Sequence, residues 1–216
     1  MQKKGQILGF LDRLVYFWAM LSKADKTRQF IIEKSAPIFN KKGYSATTMA
    51  DILQATGLAK GGIYGNFNSK DEIAAEAFEY AYTRLKEDLR FKIKQEKTAY
   101  DKLIAILDYY HNYTSNPHID GGCPLLNTAI DADDNIPFLK KKAKAALDEM
   151  VGSLEYIISK GIEKDEFSKD LQAAAEAEIF FATIEGAIMM SKLSDDPRVL
   201  NRLLDVLKER VAGWKI

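Results

Sequence analysis

Between residues 47 and 70 stand side chains whose types and spacing suit contact with a nucleic-acid backbone: Thr47, Thr48, Lys60, Gly61, Gly62, Tyr64, Asn66 and Lys70. Threonines at a helix start offer hydroxyls and backbone N–H groups to a phosphate. Lys60 and Lys70 flank a short segment from which each can reach phosphate as a point charge. Gly61 and Gly62 let protein backbone come close to DNA. Tyr64 can set its hydroxyl on a phosphate or its ring on a thymine methyl, and Asn66 has the amide geometry for adenine or for phosphate. Each residue alone also has a plain reading as helix cap, solvated lysine or packed ring. The cluster as a whole points to double-stranded DNA.

Other reactive residue types lack partners. His111 and His118 are seven apart across a loop, no Cys or His cluster joins them, and the spacing is not that of metal ligands. Cys123 precedes Pro124 near a helix start that could lower its pKa, but a small buried residue is the stronger reading. Asp131, Asp133 and Asp134 lack the glycine and twelfth-position glutamate of a calcium loop and read as a solvated helix end. With no phosphate-cradling glycine loop and no GxSxG, the sequence predicts no enzyme, metal or cofactor.

The elements that position the first cluster follow from local signals. Thr47 and Thr48 precede Met49, Ile52 and Leu53 at helical spacing, and Gly57 stands where a C-cap needs positive φ. A second short helix is expected over Leu58–Phe67, with Ile63 and Phe67 on its inner side. Ser69 and Glu72 form a capping-box signature for the next helix. Helix, glycine turn and short helix is the arrangement that lays a recognition helix in the major groove. Ahead of it a helix over Ala24–Lys41, ended by Gly43, buries Phe30, Ile31, Ala36, Ile38 and Phe39 and carries Pro37 in its interior.

Beyond it, helices are expected over Ser69–Lys97, Ala99–Thr114, Pro124–Ala132, Pro137–Gly161, Leu171–Leu193 and Pro197–Trp214. The fold class is therefore all-α: an N-terminal three-helix helix-turn-helix unit followed by a larger helical body. The expected boundaries are 1–22 for an N-terminal extension, 23–70 for the DNA-binding unit and 71–216 for the body. Leu8, Leu11, Val15, Trp18 and Leu21 make the extension an amphipathic helix or sequence upstream of a start at Met20.

The 216 residues are 47% hydrophobic and 29% charged, a globular composition. Net charge is zero, yet residues 23–70 carry eight Lys and Arg against three Asp and Glu, while residues 71–216 carry 20 against 27. A basic head on an acidic body suits a module that meets phosphates while its remainder is repelled from them. One cysteine excludes an internal disulfide, and no apolar run reaches the roughly 18 residues of a membrane span. A cytoplasmic protein is expected.

Gly43, Tyr44, Thr47, Thr48, Met49, Asp51, Ile52 and Gly57, then Gly61, Ile63, Tyr64, Phe67, Ser69, Lys70 and Ile73, resemble the N-terminal pattern of the tetracycline-repressor (TetR) family of bacterial regulators. About 50 residues match without a gap. The resemblance implies a three-helix DNA-binding domain and a C-terminal domain that dimerises and holds a ligand pocket. Gly65 and Asn66 depart from the family, which more usually has aromatic or histidine side chains there.

In the body, Tyr82, Leu107, Tyr110, His111, Leu126, Phe181, Glu185 and Met189 are candidate lining for a pocket that takes an apolar or aromatic small-molecule effector. Glu185 is singled out because it interrupts an apolar run and must be paired or protonated if buried. The stripe Leu200, Leu203, Leu204, Leu207 and Val211, with Ala177, Phe180 and Ile184 on the preceding helix, is expected to form a homodimeric four-helix bundle. The expected function is a ligand-responsive regulator, a repressor by family habit, released from a near-palindromic operator by its effector. The alternative, which Gly65 and Asn66 keep open, is a helical ligand-binding or scaffold protein with weak, non-specific DNA binding.

Overall fold

The computed structural model describes residues 22–216 apart from 112, 115 and 116, and the expected N-terminal extension lies outside the described residues. Among them are nine helices: α1 Lys23–Ala46, α2 Met49–Thr56, α3 Lys60–Tyr64, α4 Lys70–Ile93, α5 Ala99–Tyr110, α6 Pro124–Ala132, α7 Pro137–Glu163, α8 Ala173–Leu193 and α9 Pro197–Ala212. The all-α expectation holds. The second helix of the motif is shorter than the expected Leu58–Phe67, because Ala59 and Gly65 cap a single turn.

Helix starts follow side-chain chemistry. Ser22 with Asp25 and Thr48 with Asp51 form reciprocal capping boxes. Ser69 caps α4 through the Glu72 N–H, but the Glu72 carboxylate turns to the Asn68 N–H and to Arg28 instead of completing the expected box. Proline occupies the first turn of α6, α7 and α9, where its missing N–H costs nothing. Pro37 leaves α1 helical. The break lies six residues on, at Gly43, with φ 76° and ψ 169°. A Cβ there would come within 2.8 Å of the Asp131 carboxylate, so both backbone and neighbour demand glycine.

Two cores result. Ile31, Ile32, Ile52, Ile63, Phe67 and Ile73 form a small one under α1–α3 and the start of α4. Within α1, Ile32 is buried where the spacing favoured Phe30, which is partly exposed. A much larger core joins α4–α9, and α4 belongs to both. The joint between head and body is polar. Asn40 donates to the carbonyls of Asp120 (3.0 Å) and Gly122 (2.9 Å), and Asn127 donates to both oxygens of Asn40. Asp131 accepts the Tyr44 N–H. Asp131 is thus a structural acceptor at the Gly43 break, not the solvated helix end expected of it.

Candidate nucleic-acid interface and effector groove

The motif residues separate into an inner and an outer set. Ile63 and Phe67 are buried, and Arg28 lies over the Phe67 ring at 4.0 Å while bonding Glu72, Glu76 and the Asn66 carbonyl. This clamp fixes the exit of α3 against α4. Gly57 takes φ 66° and accepts the tight turn from α2 into α3, its N–H bonded to the Leu53 carbonyl. The outer face of α3 is what this packing leaves over: Lys60 and Gly61 exposed, and Tyr64 with 54% of its surface free. A Cβ on Gly61 would meet nothing within 4 Å, so the approach to α3 is open. Thr48 is exposed at the N-terminus of α2, and Lys42 together with Thr48 holds the Asp51 carboxyl down at about 2.

Four of the predicted contacts are engaged inside the protein, among them the exposed Thr48, whose hydroxyl accepts the Asp51 N–H and donates to the Asp51 carboxylate at 2.9 Å. Thr47 is fully buried, its hydroxyl donating to the Gly43 carbonyl, so that hydroxyl is turned away from any phosphate. The ammonium of Lys70 donates to the carbonyls of Tyr44 (2.9 Å) and Thr47 (3.0 Å) and sits over the Tyr44 ring. It closes the α1–α2 corner instead of standing free beside α3. Asn66 is half-buried and donates to the Gly62 carbonyl, 2.8 Å away. A Cβ on Gly62 would meet the Leu58 side chain at 3.4 Å.

The dimer residues expected from the sequence are corrected. Ala177, Phe180, Ile184, Leu200, Leu204, Leu207 and Val211 are buried within the protomer, and Leu203 is half-buried. The apolar stripes of α8 and α9 face the body's own core and each other. What α8 and α9 turn outward is a different set: Ile179, Met189, Met190, Leu193 and Val206. Among the described residues no helix is long and apolar enough to cross a membrane.

The residues expected to line the pocket fall in different places. Leu107, Tyr110, Phe181 and Glu185 are core residues, Leu126 is half-buried, and His111 and Met189 lie at the surface. Only Tyr82 of that set lines a groove of about 1090 Å³ between α4, α5 and α7. Its floor is Leu89, Ile93, Ile106, Met150, Leu154 and Ile157, which sequence reasoning missed because each looks like ordinary core. Gly152 and Ser153 give one wall little side chain, and that absence of bulk in α7 was the readable signal.

Glu185 has a role of another kind. The Cys123 thiol donates to Oε1 at 3.0 Å, while Oε2 and the Tyr110 hydroxyl have no bond partner among the described residues. Burial pushes the Glu185 carboxyl up to about 7, against a smaller opposing effect of the thiol bond. Burial also drives the Cys123 thiol well up, so this sulfur is an inert, protonated neighbour. Among the described residues no group of His, Cys, Asp and Glu could hold a metal ion.

Comparison with known proteins agrees with this geometry. Residues 31–77 match the family described as bacterial regulatory proteins, tetR family, and residues 99–207 match the tetracyclin repressor-like C-terminal domain. A TetR-family regulator from Cytophaga hutchinsonii is 38% identical, with a TM-score of 0.84 over 91% of this chain and 98% of that one. One from Chloroflexus aurantiacus is 34% identical, with a TM-score of 0.86 over 90% and 98%. The transcriptional repressor DhaR of a Mycobacterium species is 23% identical over 84% of this chain and 90% of its own length. From the head matched at 31–77, the body matched at 99–207 and the shared fold, the chain belongs to the TetR family of bacterial transcriptional regulators.

Proposed function

We propose that this regulator is a repressor that binds a near-palindromic operator as a homodimer and leaves it when a small organic effector enters the α4–α5–α7 groove. The observation that carries this reading is the outer face of α3. Lys60, Gly61 and Tyr64 stand exposed on a turn whose other side is anchored by buried Ile63 and Phe67. Thr48 at the start of α2 adds a hydroxyl and a helix N-terminus for phosphate. The outward apolar residues of α8 and α9 supply the two-fold contact, with Gly186 leaving room for close approach. Two heads so joined address half-sites about 34 Å apart or a multiple of it.

Release follows from α4, which is shared by both cores and forms one wall of the groove. A ligand that favours a different tilt of α4 moves the head by its differential affinity for the two states. The polar joint of Asn40, Asn127 and Asp131 holds the head to α6 in the state described here.

The test is binding to duplex DNA from upstream of the protein's own coding region, titrated with salt beside an unrelated duplex of equal length. The proposal expects affinity at least 1,000-fold tighter for the cognate duplex, with a salt slope that falls by about one for Lys60→Ala. Equal affinity for both duplexes would favour the alternative of a helical ligand-binding or scaffold protein.

A further inference from the structure

We propose that the effector is an amphipathic organic anion, its acid head at Arg90, Lys94 and Lys102 and its apolar tail along the groove floor. This rests on the regulator reading above and adds the chemical class of the ligand.

The groove has two unlike ends. At one, α4 and α7 are tied together by Lys142 to Glu79 (2.8 Å), by the Tyr82 hydroxyl to the Ala146 carbonyl (2.8 Å) and by Lys86 to Glu149 (2.8 Å). Past Lys86, no hydrogen bond or ion pair among the described residues joins the two helices, and the space between them opens. From Tyr82 to Lys94 the wall runs for about 18 Å, a length that suits an extended chain better than a compact ring. Leu89, Ile93, Ile106, Met150 and Leu154 make its floor apolar, and Gly152 and Ser153 keep the far wall low.

Charge decides the head. Lys86 and Glu149 neutralise each other, and Asp148 is held by Lys144 at 2.6 Å. Arg90, Lys94 and Lys102 line the groove without an ion pair among the described residues. Arg90 and Lys94 are one turn apart at the end of α4, and Lys102 faces them from the first turns of α5. Glu87 and Glu96 are the acids of the lining that have no ion pair among the described residues, so the three unpaired cations exceed them by one. An apolar cleft with unpaired cations at one end recognises a carboxylate or phosphate on a long apolar chain.

The experiment is displacement of an environment-sensitive fluorophore from the full-length protein by four twelve-carbon probes, kept below their micelle concentrations. Dodecanoate or dodecyl phosphate is expected to bind at least ten-fold tighter than dodecanol, and dodecyltrimethylammonium not at all. Preference between the two acids separates a carboxylate head from a phosphate head. Arg90→Gln with Lys94→Gln is expected to erase the advantage of the acids over the alcohol. Gly152→Phe is expected to block all tails without lowering the melting temperature, because a Cβ there meets nothing within 4 Å and phenylalanine favours helix over glycine. Equal binding of anion, alcohol and cation overturns the proposal, as does undiminished binding to Gly152→Phe. The readout contains no DNA, so its failure is distinct from failure of operator binding.

Discussion

Head and body hold themselves together in opposite ways. The head has a core of six buried apolar residues and gains its shape from directional polar contacts: two capping boxes, the Arg28 clamp and the Lys70 ammonium on two carbonyls. The body has a continuous apolar core through six helices, and within it a buried carboxylate is bonded to a thiol. A surface built on directional contacts is fixed to within ångströms, as base readout requires. A body held by non-directional burial can shift its helices around a ligand with less loss.

The sharpest way to break this contrast is to truncate the ring at the centre of the small core. Phe67→Ala is expected to cost about 3–5 kcal/mol. Hydrogen exchange should then show α1–α3 losing protection while α7–α9 keep theirs. Uniform loss along the chain would mean that the two cores are one cooperative unit.

The buried carboxylate of the body gives the next effect. The Glu185 carboxyl is raised from about 4.5 to about 7 by folding, so the native state holds a proton that the unfolded chain releases in that window. Its contribution is therefore fully present below pH 4.5 and is lost as pH rises through 7. The loss amounts to about 3 kcal/mol. Glu185→Gln should flatten that part of the stability–pH curve measured by urea unfolding. An unchanged slope would show the carboxyl ionised in the fold.

These two regions also differed in how far they could be read from sequence. The head was legible because its signals are local: Thr48, Gly57, Ile63, Phe67 and Ser69 act within a turn or two of themselves. Thr47 and Lys70 misled, because their partners (Gly43, Tyr44 and Thr47) depend on how α1 meets α2 and α4. In the body the helix positions were legible from prolines and periodicity. The inward or outward face of α8 was not, since its apolar residues run round the whole helix. That ambiguity led to Phe180 and Ile184 being expected outward, whereas they are buried and Ile179 and Met190 are exposed. Asn40 and Asn127 were invisible because their bond joins residues 87 apart in sequence.

Gly161 tests packing in the body at close range. A Cβ there would lie 2.3 Å from the Phe167 ring and 2.9 Å from Ala99. Gly161→Ala is expected to destabilise by about 1–3 kcal/mol through overpacking, seen as a lower urea midpoint at constant slope. A stabilised variant would show that this corner yields easily.

The smallest effect is the cap of α2. Thr48→Ala is expected to cost about 1 kcal/mol in thermal unfolding. It should weaken operator binding by more than that, since the same hydroxyl stands at the proposed phosphate contact. Equal losses in stability and binding would make Thr48 a cap and nothing else.

The most direct measurement compares operator affinity and melting temperature in the same preparation of Tyr64→Ala. The exposed ring contributes little to the head's core, so melting should match the parent chain while affinity for the operator falls at least ten-fold. Full affinity with unchanged melting would contradict the account, because the outward side of α3 would then have no part in holding DNA.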